Sequence, residues 1–275
     1  MTLFVVATPI GHRGDISRRA VEVLAGCDAV LAEDTRHTRP LLAGLGVETP
    51  LVAFHDHTSE GLRARLVERL VSGETLALVS DAGTPCVSDP GYKLVRDARA
   101  AGVDVRAVPG ACAVTAFISV AGLPSDRFQF VGFAPRKAGE RESAVDAWLR
   151  YGGTTICYES PQRLVALLTT LAERGAGREV AVGRELTKQY EELVTGTATE
   201  VLDVFASRER IRGEIVVGVR GGAEVHADAA TTDAWLRELA SSSLRTKEAA
   251  AMAQRRLGLP KSEAYARVLA LRDAD

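Results

Sequence analysis

Leu76-Ala77-Leu78-Val79-Ser80-Asp81-Ala82-Gly83-Thr84-Pro85-Cys86-Val87-Ser88-Asp89-Pro90-Gly91 passes from four consecutive apolar residues straight into a loop holding two glycines and two prolines. An unbroken apolar run bounded by turn residues reads as a strand buried on both faces, and such strands belong to parallel sheets. The loop is rigid, lets backbone approach a ligand closely, and offers Ser80, Asp81 and Thr84 as hydrogen-bonding groups. An ordinary strand-to-helix turn with Asp89 as helix N-cap uses the same residue types, and composition leaves both readings open.

Upstream, a buried strand over 3–7 ends at Thr8-Pro9-Ile10-Gly11. A helix follows, with Asp15 or Ser17 as N-cap, Ala20, Val21, Val23 and Leu24 on one face, and Gly26 closing it. A strand over 29–32 ends in the polar cluster Glu33-Asp34-Thr35-Arg36-His37-Thr38, and another over 51–54 ends in His55-Asp56-His57. Helices over 59–70 and 92–101 and a strand over 103–108 continue the pattern. Strands alternating with helices predict a mostly parallel sheet covered on both faces, with ligands at the strand ends. After Pro109-Gly110, a small-residue helix over 111–121 leads through Gly122-Leu123-Pro124-Ser125-Asp126 into a second α/β unit. That unit has strands near 129–133, 154–158, 179–184 and 214–219 and helices near 140–150 and 161–173, and periodicity does not order its strands. Beyond a linker over 221–230, helices over 232–239, 246–257 and 262–271 form a small appendage, the second stopped by Gly258-Leu259-Pro260. The expected domains are 1–121, 122–222 and 231–275.

A chain of 275 residues suits two domains, and 46% hydrophobic with 25% charged residues is ordinary globular usage. The net charge of −2 gives no bulk electrostatic sign of a nucleic-acid partner. The tail is mildly basic, with eight Arg or Lys against six Asp or Glu from Thr231 onward. Four scattered cysteines with no CxxC pair argue against a zinc knuckle or a dithiol site. No signal-peptide pattern and no membrane-spanning apolar run occur, so the expectation is a reduced, cytoplasmic protein. The absence of G-x-G-x-x-G and G-x-x-x-x-G-K-[ST] disfavours dinucleotide-binding and P-loop proteins.

Three of the five histidines and three carboxylates gather at the ends of the second and third strands, between Glu33 and His57. They suit acid–base work or RNA contact. A metal on His55, His57 and a carboxylate would need extended chain, and a polar rim with an Asp34–Arg36 pair explains the same residues. Tyr158-Glu159-Ser160-Pro161 and Arg184-Glu185-Leu186-Thr187-Lys188 close strands of the second unit, and Gly213-Glu214 precedes the last one. A buried Glu there suits the hydroxyls of an adenosine ribose, while ordinary surface loops look similar.

Thr8-Pro9-Ile10-Gly11, Ala32 to Thr38, His55-Asp56-His57, Ser80 to Pro85 with Asp89-Pro90-Gly91, Tyr158-Glu159-Ser160 and Arg184 to Lys188 together resemble one family. It is the small-subunit ribosomal RNA ribose-2′-O-methyltransferases of the tetrapyrrole-methylase superfamily. The likeness runs in order from Leu3 to about Val219, and the tail is only loosely similar. It implies two α/β domains of tetrapyrrole-methylase type with a cofactor cleft between them, plus a small C-terminal helical extension. It further implies S-adenosylmethionine as cofactor, a homodimer, no metal, and 2′-O-methylation of a cytidine ribose in the decoding region of small-subunit (16S) RNA. Carried over residue by residue, the cofactor contacts are Pro9, Ser80, Asp81, Ala82, Gly83, Thr84, Ala111, Cys112, Ala113, Phe133, Tyr158, Glu159, Gly213 and Glu214. A ribose hydroxyl is a poor nucleophile, so a base is expected among Glu33, Asp34, His55 and His57, with Arg36 or Lys188 on an RNA phosphate. Departures at Arg13-Gly14, Ser88 and 134–141 bear on fine substrate contacts.

Two alternatives stand beside this reading. A corrin or porphyrin methylase is similar in fold but opens with a G-x-G-P-G-D-like loop, which this chain replaces with Thr8-Pro9-Ile10-Gly11-His12-Arg13-Gly14-Asp15. A noncatalytic RNA-binding module is suggested by the tail, where 246–271 reads as a helix-turn-helix using Arg255, Arg256, Lys261 and Arg267, or as a dimer-packing or capping pair.

Overall fold

The computed structural model describes residues 1–55, 58–222, 229–242, 244–257 and 261–273. Strands β1 (Thr2–Val6), β2 (Ala29–Ala32), β3 (Leu51–Ala53), β4 (Thr75–Val79) and β5 (Asp104–Val108) form a first sheet in the order β3-β2-β4-β1-β5. Every pairing in it is parallel. Successive side chains point to opposite faces. Leu3, Leu31, Leu76 and Leu78 therefore join a core under α3 (Glu60–Val71) and α4 (Tyr92–Ala100). Val6, Val30, Ala77 and Val79 join another under α1 (Arg18–Gly26) and α2 (Thr35–Gly44). Burial on both faces is the reason these strands read as unbroken apolar runs. The chain leaves β1 toward one edge of the sheet and β4 toward the other, so the carboxyl ends of these neighbours flank a topological switch point.

Local chemistry sets the boundaries, and it decides three points that the sequence reading left open or missed. Ser17, rather than Asp15, caps α1, its hydroxyl accepting the Ala20 N–H at 3.1 Å. The polar cluster after β2 opens a helix: Asp34 caps α2, whose interior Pro40 removes a backbone donor and so masks the helix in the sequence. Asp89 is not the cap of α4; Gly91 is, at φ +135°, a backbone region open only to glycine.

The second sheet contains β6 (Phe128–Phe133), β7 (Thr154–Glu159), β8 (Glu179–Arg184), β9 (Glu192–Thr197) and β10 (Ile215–Arg220), ordered β6-β7-β10-β8-β9. Only β6 and β7 pair in parallel. One face is covered by α6 (Ala138–Arg150), α7 (Pro161–Gly175) and α8 (Ala198–Ala206). The sequence reading lacked β9 and α8, although the Thr197–Glu200 capping box announces the helix.

The other face receives α5 (Ala113–Val120), the helix joining the two sheets. Its Phe117 is fully buried over Gly183 of β8 and Gly218 of β10. A β-carbon on Gly218 would lie 2.6 Å from Phe117 Cε1, and one on Gly183 would lie 2.8 Å from its Cδ2. The absence of side chains at these two positions creates the socket.

Helices α9 (Ala229–Ser241), α10 (Thr246–Leu257) and α11 (Lys261–Asp273) bury Leu236, Leu239, Ala253 and Val268 among themselves. The Arg272 guanidinium donates to the carbonyls of Leu239, Ala240, Ser242 and Leu244, tying the three together. The pair Asp56-His57, most of the linker after Gly222, the stop Gly258-Leu259-Pro260 and the side chains of Arg255, Arg256 and Lys261 lie outside what is described. No helix among the described residues is long and apolar enough to cross a membrane.

Gly218→Ala is expected to destabilise the chain by about 1–3 kcal/mol through overpacking against Phe117. Urea unfolding reads this as a lowered midpoint at unchanged slope.

Candidate active site

Three neighbouring strand ends are tied into one surface. The loop after β1 and the loop after β4 exchange backbone hydrogen bonds, Thr8 N–H to Gly83 C=O at 2.8 Å and Gly83 N–H to Thr8 C=O at 3.1 Å. The buried Thr8 hydroxyl donates to the Ser80 carbonyl at 3.2 Å, and the Ser80 hydroxyl turns inward to the carbonyls of Ala82 and Gly83. Thr84 Oγ1 donates to the Ala111 carbonyl at 3.0 Å, joining the loop after β5. Gly110 fits closely beside β1, since a β-carbon there would stand 3.0 Å from Ala7 Cβ.

Over this surface lies a cleft of about 370 Å³ between the two sheets. Its floor is Ile10, Ala82, Gly83, Thr84, Cys112 and Ala113, and its far wall includes Phe133, Tyr158, Glu159, Leu186, Gly213, Glu214 and Val216. Of the fourteen expected cofactor contacts, Ala82, Gly83, Thr84, Cys112, Ala113, Phe133, Tyr158, Glu159, Gly213 and Glu214 line it. Pro9 and Ala111 sit next to lining residues, Ser80 holds the turn from beneath, and Asp81 faces away, accepting the Asp34 N–H at 3.0 Å beside His37. Sequence reasoning missed Ile10, Val87, Leu186, Ile215 and Val216, because an apolar lining residue is indistinguishable in pattern from a core residue.

The far wall is aromatic and braced. Tyr158 packs edge-on against Phe130 at 4.8 Å and Phe133 at 5.6 Å between ring centres. Burial raises its hydroxyl pKa, so the ring stays a neutral phenol. Glu159 is almost fully buried, and that burial raises its pKa, but its carboxylate is occupied by the Arg163 guanidinium and by the Ser160 N–H at 2.7 Å. Lys188 Nζ bridges Glu185 at 2.9 Å and Glu214 at 3.0 Å, while Glu185 also accepts the Glu214 N–H.

The expected RNA-facing cations are thus both committed to carboxylates, since Arg36 is held by Asp34 at 2.6 Å. The hydrogen bonds from Arg36 hold the Asp34 carboxyl far below the usual carboxylate range, which makes it a weak proton acceptor. Glu33 and Asp34 line neither this cleft nor the cavity beside it, and His57 lies outside the described residues. His55 lines the neighbouring cavity of about 320 Å³, together with Phe54, Thr58, Arg63, Cys86, Ser88, Asp89, Gly91, Tyr92 and Lys93. Ser88 and Asp89 are common to both. Among the described residues, no group of three or more His, Cys, Asp or Glu is arranged to hold a metal ion.

The four non-glycine residues with positive φ among the described residues, Cys86, Ser88, Glu185 and Thr187, all sit in the loops bordering this region. Such conformations cost on the order of 1–3 kcal/mol each and cluster where function requires a fixed backbone.

Comparison with known proteins adds family evidence. Residues 2–202 match the family model described as Tetrapyrrole (Corrin/Porphyrin) Methylases, and 226–272 match one described as the RsmI C-terminal HTH domain. The chain is 45% identical to the Ribosomal RNA small subunit methyltransferase I of Xylella fastidiosa (strain Temecula1), covering 96% of this chain and 97% of that one. It is 44% identical to the protein of the same name from Pseudomonas aeruginosa, covering 98% and 96%. Its fold resembles the uroporphyrin-III-C-methyltransferase of Thermus thermophilus, with TM-score 0.55 and 22% identity over 81% of this chain and 95% of that one. A diphthine synthase is similar at TM-score 0.60 and 18% identity, over 80% and 89%.

Glu192 braces the strained Glu185–Thr187 turn from behind, between Arg208 at 2.5 Å and Arg184 at 2.9 Å, and Arg184 in turn donates to the Arg212 carbonyl beside Gly213. Hydrogen bonds from Arg208 first, then Arg184, lower its carboxyl to about 2. A depressed folded-state value contributes stability that is complete above the unfolded value of roughly 4.3 and is lost as pH falls through the folded one. The stability gap between the wild type and Glu192→Gln should therefore be full above about pH 5 and shrink toward pH 2, as read by urea melts across that range.

Proposed function

The chain belongs to the tetrapyrrole (corrin/porphyrin) methylase family, and from that premise we propose that it methylates small-subunit ribosomal RNA at the 2′-hydroxyl of a cytidine in the decoding region. One structural observation carries the reading: a largely apolar cleft at the switch point between the ends of β1 and β4, closed over by the second sheet. Relatives sharing 44–45% identity over nearly the whole chain bear the name of a ribosomal RNA methyltransferase, which supports RNA as the acceptor. The corrin and porphyrin alternative draws on the broad family description and on structures at 22% identity or below, a level that speaks for the fold alone.

S-adenosylmethionine is the methyl donor of this family. The residues present suit it. The cleft volume is in the range of small-molecule sites, roughly 300–1,000 Å³, and its floor is a backbone surface of small residues, Ala82, Gly83, Cys112 and Ala113. When bound, the donor supplies a methyl group already activated on a sulfonium centre, so the chain's task is to position, to exclude water and to take a proton. The loops tied through Thr8, Gly83 and Thr84 fix position, a contribution worth up to about 7–11 kcal/mol in well-oriented systems. Ile10, Val87, Leu186, Ile215 and Val216 give the cleft an apolar lining that disfavours water once it is filled. For the proton of the ribose hydroxyl we assign His55, which borders the adjoining cavity while Asp34 is tied up by Arg36. We also take the working species to be a homodimer, a reading in keeping with the exposed Phe128 and Val131 on the edge strand β6, and sedimentation velocity tests it.

Wild type should bind S-adenosylmethionine in calorimetry and methylate small subunits isolated from cells lacking this chain. Phe133→Ala, at an exposed ring that packs on Tyr158, should weaken donor binding by about ten-fold, the scale of one lost aromatic contact. His55→Ala should slow single-turnover methylation by roughly 10²–10⁴-fold with donor affinity kept. An unchanged rate would remove His55 from the role.

A further inference from the structure

The cavity beside the cleft differs from it in chemistry. Among the described residues its lining carries Arg63, Lys93 and His55 together with the carboxylate of Asp89, and it presents the ring of Tyr92. Arg63 projects from α3 with its side chain only 11% exposed, steadied by Asp97 at 2.6 Å. Asp97 and the more distant Glu60 engage only part of its five donors. Tyr92 is 61% exposed, an unusual position for a large aromatic ring, and the Arg96 guanidinium sits 5.8 Å from its centre on the outer side of α4. A cationic hollow with an exposed ring at its lip is the combination that single-stranded nucleic acid requires, phosphate against charge and base against a π face.

The position of this hollow is the second independent observation. Its common boundary with the donor cleft is the Ser88–Asp89 segment, so whatever occupies it lies one residue's thickness from the donor. Ser88 and its neighbour Cys86 are held in left-handed backbone, at φ +62° and +70°, which fixes that boundary in shape.

We propose that this second cavity seats the acceptor nucleotide, with its phosphate against Lys93 and Arg63, its base on the Tyr92 ring, and its ribose turned to the Ser88–Asp89 boundary. The assignment rests on the RNA-methylation reading above and adds the binding site that the reading lacks. The cations expected from the sequence, Arg36 and Lys188, are paired with carboxylates, and Arg63 is paired with Asp97, so on this assignment the charge that meets the phosphate comes chiefly from Lys93 of α4.

Lys93 and Tyr92 are both exposed, so truncating them leaves the fold intact. The test measures methylation of unmethylated small ribosomal subunits by full-length wild type, Lys93→Ala, Tyr92→Ala and Tyr92→Phe across a salt series, with donor binding followed separately by calorimetry. Lys93→Ala should raise KM and flatten the log–log salt dependence by about 0.7, the share of one phosphate contact to single-stranded RNA. Tyr92→Ala should raise KM roughly ten-fold or more, the scale of one lost stacking contact, while Tyr92→Phe keeps the π face and stays near wild type. Donor affinity should remain the same in all four proteins. An active wild type whose Lys93→Ala and Tyr92→Ala variants keep its KM and salt slope overturns the cavity assignment alone. A wild type that binds donor yet leaves the subunits unmethylated overturns both the assignment and the reading beneath it.

Discussion

A phenyl ring packs at about 3.5–4.0 Å from its carbon neighbours, and at Phe117 that clearance exists only because two adjacent strands lack a β-carbon beneath it. Gly183 and Gly218 form the socket, and the helix that carries Phe117 begins at the very loop that supplies Cys112 and Ala113 to the cleft floor. The seating of one ring therefore fixes the distance between the floor and the far wall. Tight interiors transmit such displacements instead of absorbing them, so cleft width is a property of the α5 joint as much as of the residues that line it. Glycine ordinarily weakens a strand, and the cost accepted at these two positions is returned as a defined relation between the sheets.

The cleft is held by backbone to an unusual degree. Thr8 and Gly83 pair directly, Ser80 directs its hydroxyl into its own turn, and Thr84 reaches the next loop. Polar side chains that looked like ligand contacts in the sequence, Ser80 and Asp81 among them, are occupied in building the loop. What faces the cleft is mainly carbon and peptide, suited to a donor whose reactivity is its own. On the opposite side the ion-paired groups Glu159–Arg163 and Glu185–Lys188–Glu214 stiffen the wall, the second keeping one net negative charge.

Much of this was legible in the sequence, for physical reasons that also mark where legibility stops. Strands buried on both faces leave continuous apolar runs, so the parallel sheet and its loop-bearing ends were readable from Leu3, Val30 and Leu78 outward. Small-residue turns such as Ala82-Gly83-Thr84 were readable as places where backbone can approach a ligand, and only the fold separates them from ordinary strand-to-helix turns of the same composition. Helix α2 stayed hidden behind Pro40, and β9 behind its half-exposed edge position, where alternation is weak. The apolar lining, Ile10, Leu186 and Val216 among it, carried no signal, since facing a cleft and facing a core require the same side chain. Arg63, Tyr92 and Lys93 read as ordinary helix residues, because their convergence depends on how α3 and α4 lie side by side, a fact of tertiary structure alone.

The partition between the two cavities is made of main chain locked in left-handed conformations at Cys86 and Ser88. A party wall of that kind does not yield to a rotamer change, so the rooms on either side are free to be refurnished separately. Substitutions on α3 and α4 can reshape the second cavity without disturbing the chamber next door.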